Sequence, residues 1–138
     1  MDVNYYRTFI AVADDCPVTE GVVPQARGGK KTVAVLQYEM LAGNPYVYTQ
    51  EDVLFESWLR RQEPADLPEN EVARLRDEFF AKPQPCVRAS PLPKKFGWGL
   101  ACDAEGRVAL CPMESKEYQD FLAGDTMKIL KAMRSARA

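Results

Sequence analysis

The sequence predicts an α+β fold, a small and mainly antiparallel sheet covered chiefly on one face by about five helices. Three observations carry that expectation. Residues 97–112 alternate bulky and small side chains on either side of a turn, and residues 5–13 are rich in aromatic and β-branched types. Several other stretches repeat apolar residues at helical spacing.

Tyr5 to Ala13 reads as the first strand, ended by Asp14-Asp15-Cys16-Pro17. Pro17 to Lys31 contains Pro24, Gly28 and Gly29 without periodicity and reads as a loop. From Thr32 the pattern turns helical, with Val33, Leu36, Met40 and Leu41 on one stripe and Gly43 and Pro45 as a stop. Thr49 begins a second helix, Asp52 completes a capping-box spacing, and Val53, Leu54, Phe55, Trp58 and Leu59 form a wide apolar stripe. Gln62 to Pro68 is a linker, and Glu69 to Ala81 reads as a third helix through Val72, Leu75 and Phe79. On its polar face Glu71, Arg74, Asp77 and Glu78 sit at spacings that favour mutual pairing.

Cys86 to Ser90 alternates Val87 and Ala89 with Cys86, Arg88 and Ser90 and is bracketed by prolines, which suits an edge strand. In the hairpin that follows, Asp103-Ala104-Glu105-Gly106 offers a type I turn with a glycine for the left-handed position. Pairing Asp103 with Arg107 places Trp98, Leu100 and Cys102 on one face with Val108, Leu110 and Pro112. Gly99, Ala101, Ala109 and Cys111 share the other face, small enough for a helix to lie close. Glu114 to Ala123 and Asp125 to Arg137 read as two final helices joined at Gly124, the basic end of the second complementing its dipole.

With 138 residues the chain is expected to form one domain that buries about two-thirds of its unfolded surface. No apolar run approaches the ~20 residues of a membrane span, and the polar start lacks the pattern of a signal peptide, so a cytoplasmic protein without a membrane partner is expected. A net charge of −2 gives no electrostatic ground for nucleic-acid binding. Cys16, Cys86, Cys102 and Cys111 make no C-x-x-C pair, so free thiols are expected, with Cys102 and Cys111 on opposite faces of the hairpin.

The most informative exclusion is histidine, of which the chain has none. That removes Ser-His and Cys-His nucleophile pairs, imidazole acid-base chemistry and histidine metal sites, and no motif for a metal or cofactor stands elsewhere. What the sequence offers instead is positive charge near aromatic surface. Arg88, Lys94 and Lys95 lie close to Trp98, and Lys30 and Lys31 follow Gly28-Gly29 in a stretch that fails the phosphate-loop pattern at Pro24 and Lys31. The expectation ranked first is therefore a non-catalytic module that binds a small anionic ligand or an acidic partner. Arg88, Lys94 and Lys95 would donate, Trp98 would stack, and Lys30 and Lys31 would form a second cationic edge. Exposed charge and core tryptophan are the structural alternative for the same residues. Two further readings stay open, a thiol enzyme using Cys86 beside Arg88 and an interaction protein using the free edge of the Cys86 to Ser90 strand.

Several short motifs, among them Asp15-Cys16-Pro17, Asn44-Pro45-Tyr46, Pro85-Cys86-Val87-Arg88-Ala89-Ser90-Pro91-Leu92 and Gly97-Trp98-Gly99, are those of a known family. From about Asn4 to about Leu122 the chain resembles a family of small bacterial proteins catalogued only as a domain of unknown function. That resemblance implies no activity, cofactor or catalytic residue.

Overall fold

The computed structural model describes residues 4–62 and 66–135. In chain order its elements are β1 (Thr8–Ala11), α1 (Val33–Ala42), α2 (Gln50–Arg61), α3 (Glu69–Phe80), a 3₁₀ turn (Val87–Ala89), α4 (Pro91–Lys95), β2 (Trp98–Cys102), β3 (Val108–Pro112), α5 (Lys116–Ala123) and β4 (Lys128–Lys131). The fold is α+β. Its four-stranded sheet runs β3-β2-β1-β4, antiparallel across the first two pairings and parallel between β1 and β4.

The hairpin takes the expected register, with Trp98 opposite Pro112, Leu100 opposite Leu110 and Cys102 opposite Val108. Gly106 occupies the left-handed region at φ +79°. The Asp103 carboxylate fixes the turn by accepting from the backbone N–H of Glu105 at 2.9 Å and of Arg107 at 2.8 Å. Leu100, Cys102 and Val108 join Ile10, Met40, Leu41, Val53 and Leu92 in the larger core, under α1, α2 and α4. On the other face α5 lies close to the small residues. Tyr118 meets Phe9 edge-on at 5.2 Å, and its hydroxyl accepts from the Val12 N–H at 2.9 Å. Cys102 and Cys111 therefore belong to different cores, and all four cysteines are free.

Helix starts follow their side-chain caps. Thr32 caps α1, Ser115 caps α5, and Thr49 and Asp52 bond reciprocally across the first turn of α2. Helix α3 has no buried residue and is held from its flank. Arg76 bridges to Glu51 at 2.9 Å and Asp52 at 2.8 Å beneath the rings of Phe55 and Phe80, while Arg74 pairs with Glu71 and Glu78. Among the described residues no helix is long and apolar enough to cross a membrane.

Two expectations are corrected. Asp125 to Arg137, read as a helix through Met127, Leu130 and Met133, contains strand β4 instead, and residues 136–138 lie outside the described part. The competing demand is that of β1, whose four residues are all buried and whose second edge would otherwise leave main-chain groups unpaired. Residues 128–131 satisfy that edge, so their basic character no longer serves a helix end. Cys86 to Ser90, read as an edge strand, is a 3₁₀ turn leading into α4, where Ser90 is the cap and Pro91 the first helical residue. Five residues of alternation are too short to outweigh a proline that suits a helix start. No free strand edge exists there; the outer strands are β3 and β4.

Gly99 is the point of closest approach on the small face. A Cβ at this position would stand 2.7 Å from the Phe9 ring and 3.0 Å from Tyr118. Gly99→Ala is expected to lower stability by about 1–3 kcal/mol through overpacking, read as a lower urea midpoint with an unchanged slope.

Candidate functional site

Helices α1 and α2 pack side by side, and each brings a polar residue of its buried stripe to their junction: Gln37 four residues after Val33, and Ser57 four residues after Val53. The chain from Gln84 to Pro91 closes against them and brings a third, Ser90. All three are buried, at 3%, 3% and 5% exposure. Ser90 Oγ donates to Gln37 Oε1 at 2.6 Å, Gln37 Nε2 donates to Ser57 Oγ at 3.4 Å, and Ser57 Oγ donates to the Leu54 carbonyl at 3.2 Å. Ser90 Oγ also accepts from the Leu92 N–H, as the cap of α4.

This relay lines the floor of an open cleft of about 560 Å³. Trp58 and Phe79, with ring centroids 5.1 Å apart, form one wall, and Val33, Pro91 and Cys86 are among the residues that contribute further apolar surface. The Gln84 amide holds the lip by donating to the Phe79 carbonyl at 2.8 Å. Buried Gln50 accepts from the Val87 N–H at 2.8 Å and so ties the 3₁₀ turn to α2. Tyr5 hydroxyl donates to Cys86 Sγ at 3.2 Å behind the cleft wall. Burial, reinforced by that bond and by the negative charge a thiolate would place there, pushes the Tyr5 phenol up to about 12.

At the mouth stands Arg61, and two further depressions of about 490 Å³ each open from it. One is a basic hollow ringed by Arg27, Lys30, Lys31, Arg60 and Arg61. The other is a groove that carries Lys95 together with Arg27 and Arg61. The hollow is shaped by a two-residue turn: Arg27 and Lys30 exchange both main-chain bonds at 2.9 Å across Gly28 and Gly29, whose φ values of +57° and +76° only glycine adopts readily. Directly paired residues project to the same side, which puts the Arg27 and Lys30 side chains together. Lys31 bridges Glu39 at 3.0 Å and Arg60 approaches Glu56 at 3.9 Å. Among the described residues no carboxylate pairs with Arg27, Lys30, Arg61 or Lys95.

A family of unknown function, DUF6157, matches residues 1–138. The chain belongs to the DUF6157 family. No curated protein and no solved structure matches it.

In this DUF6157 chain the cations expected from sequence divide into two groups. Lys30, Lys31 and Lys95 come together around Arg61. Arg88 is engaged elsewhere: its Nε donates to the Lys131 carbonyl and its own carbonyl accepts from the Met133 N–H, both at 2.8 Å, so it clasps the outer edge of β4. Trp98 donates from Nε1 to the Val22 carbonyl at 2.8 Å and packs 5.4 Å from Tyr38, and Lys94 stands on α4 outside the three depressions. Arg60, Arg61 and the Gln37–Ser57–Ser90 relay are additions that the sequence reading did not single out. Gln37 and Ser57 left a signal, since each places a polar group at a buried helical position.

Two outcomes follow from this geometry. Gln37→Leu keeps the shape but leaves the Ser90 O–H without its acceptor, while Ser57 keeps its bond to the Leu54 carbonyl, and is expected to cost about 1–3 kcal/mol in chemical denaturation. Tyr5 and Cys102 are both raised to about 12, by burial first, from ordinary values of 10.0 and 9.0. Each holds its proton more tightly folded than unfolded, so their stabilisation is complete below about pH 9 and is lost as pH rises towards 12. Urea midpoints measured from pH 8 upward, with tyrosinate absorbance followed in parallel, are expected to fall across that window.

Proposed function

We propose that this chain is a binding module for a small anionic molecule with a flat or apolar body. The observation that carries this reading is the buried polar relay on the floor of an open, aromatic-walled cleft, with an Arg61 that has no carboxylate partner among the described residues at its mouth. Two packed helices gain more cohesion from apolar side chains than from an amide and two hydroxyls, which must all find partners once buried. Their unused capacity is one Gln37 N–H and lone pairs on the relay oxygens, suited to the polar edge of a ligand. Apolar walls, a few convergent polar groups and a charge at the rim are the usual composition of a small-molecule site. The expected roles of Lys95 as a donor and of Lys30 and Lys31 as a second cationic edge fit this arrangement, with Arg61 as its centre in place of Arg88.

The test is a thermal-shift panel of nucleotides, phosphorylated metabolites, aromatic carboxylates and organic acids. A ligand at ~100 times its dissociation constant adds about 2.7 kcal/mol of stability. Arg61→Ala and Trp58→Ala are each expected to abolish the shift while leaving a folded protein. A shift that survives both substitutions places the ligand elsewhere, and a flat panel overturns the small-molecule role in favour of an acidic protein partner.

A second reading keeps its own observation: Cys86 lies on the cleft wall with its sulfur accepting the Tyr5 hydroxyl, the setting a thiol nucleophile would need to meet a bound substrate. Iodoacetamide labelling with peptide mapping decides it. A Cys86 rate no faster than that of a free thiol at neutral pH removes the enzyme.

A further inference from the structure

We infer that the ligand class is a nucleoside di- or triphosphate, its heterocycle in the Trp58–Phe79 cleft and its phosphates in the basic hollow, an inference that rests on the binding reading above. Charge points to more than one anionic group. Five cations ring the hollow, Glu39 and Glu56 offset two of them, and the difference of three stands on a chain whose net charge is −2. A lone carboxylate would need no more than Arg61. Two or three phosphates match the excess, and three of the five cations are arginines, whose planar forks meet phosphate oxygens in pairs.

Connectivity points to a ligand with a head and a tail. Arg61 lines all three depressions, Val33 and Pro91 join the cleft to the groove, and Arg27 and Thr32 join the groove to the hollow. A ring in the cleft therefore has a continuous path for its substituent toward Arg27 and Lys30. The cleft also treats its occupant differently from the hollow. Aromatic walls suit a π-face, and the Gln37 amide beneath them can donate and accept at the edge of a heterocycle, which a hydrocarbon ring cannot exploit. Volumes of about 560 Å³ and about 490 Å³ fall within the usual span of small-molecule sites.

The experiment is isothermal titration of the full chain with adenosine, AMP, ATP, GTP, inorganic tripolyphosphate and 1-naphthoate at one fixed ionic strength. Affinity is expected to rise from adenosine through AMP to a purine triphosphate. The Arg27→Ala, Lys30→Ala double variant, both changes on the exposed turn, is expected to weaken triphosphate binding at least about tenfold and to leave adenosine unchanged. Trp58→Ala should weaken adenosine and triphosphate alike and leave tripolyphosphate unaffected. Affinity independent of phosphate number, or a tripolyphosphate as tight as ATP, overturns the inference. Binding of 1-naphthoate that requires Arg61, with no nucleotide bound, overturns it while the broader reading of the cleft stands; no binding by any probe overturns the inference.

Discussion

Strand β1 must be paired on both edges, and most of the architecture follows from that requirement. Its four residues are all buried, and Phe9 and Ile10 face opposite cores with no exposure. Water cannot reach its N–H and C=O groups, so each edge needs a strand. The hairpin supplies β2 on one side in antiparallel register, with Thr8 opposite Cys102 and Ile10 opposite Leu100. On the other side the chain returns after α5 to lay β4 alongside in parallel, Thr8 opposite Lys128 and Ala11 opposite Lys131. Only the Leu130 position of β4 is half-buried, so this strand is held by its main chain rather than by a hydrophobic face of its own.

Arg88 links that edge to the cleft. It anchors β4 through its guanidinium and its carbonyl, while the 3₁₀ turn that carries it is tied to α2 by Gln50 and stands between Cys86 and Ser90. The segment 84–91 thus answers to two neighbours, the sheet edge on one side and the relay on the other. An arginine that looks like a ligand contact in sequence acts here as a clasp, because its Nε donates to the Lys131 carbonyl of the same chain. The Trp98 indole is engaged in the same way, since Val22 accepts its N–H.

The cations gathered at the mouth of the cleft come from regions distant in sequence: a tight glycine turn after the long loop, the last turn of α2, and the end of α4. Basic residues at helix ends are stabilising in themselves, which explains Arg60, Arg61 and Lys95 one by one. Their convergence on one mouth is not required by that local logic. It arises because α2 ends beside the start of α1, and α4 lies against α1 on the same side of the sheet.

Local chemistry was legible wherever neighbours in sequence decide the outcome. The hairpin, its register and its turn could be read from Asp103 to Arg107, because the turn and the alternation of bulky and small residues admit one pairing that buries one face. The cap at Thr49 and the ion pairs of Arg74 were legible for the same reason. Tertiary structure alone decided that residues 128–131 would be a strand and that Cys86 to Ser90 would not. In both stretches the local preference is weak, and the free energy that settles it lies in unpaired main-chain groups of β1 and in the packing of Pro91 and Leu92 beneath α1. It alone also decided the candidate site, since a relay formed by residues 37, 57 and 90 and a hollow formed by residues 27, 30, 31, 60 and 61 exist only once the helices are side by side.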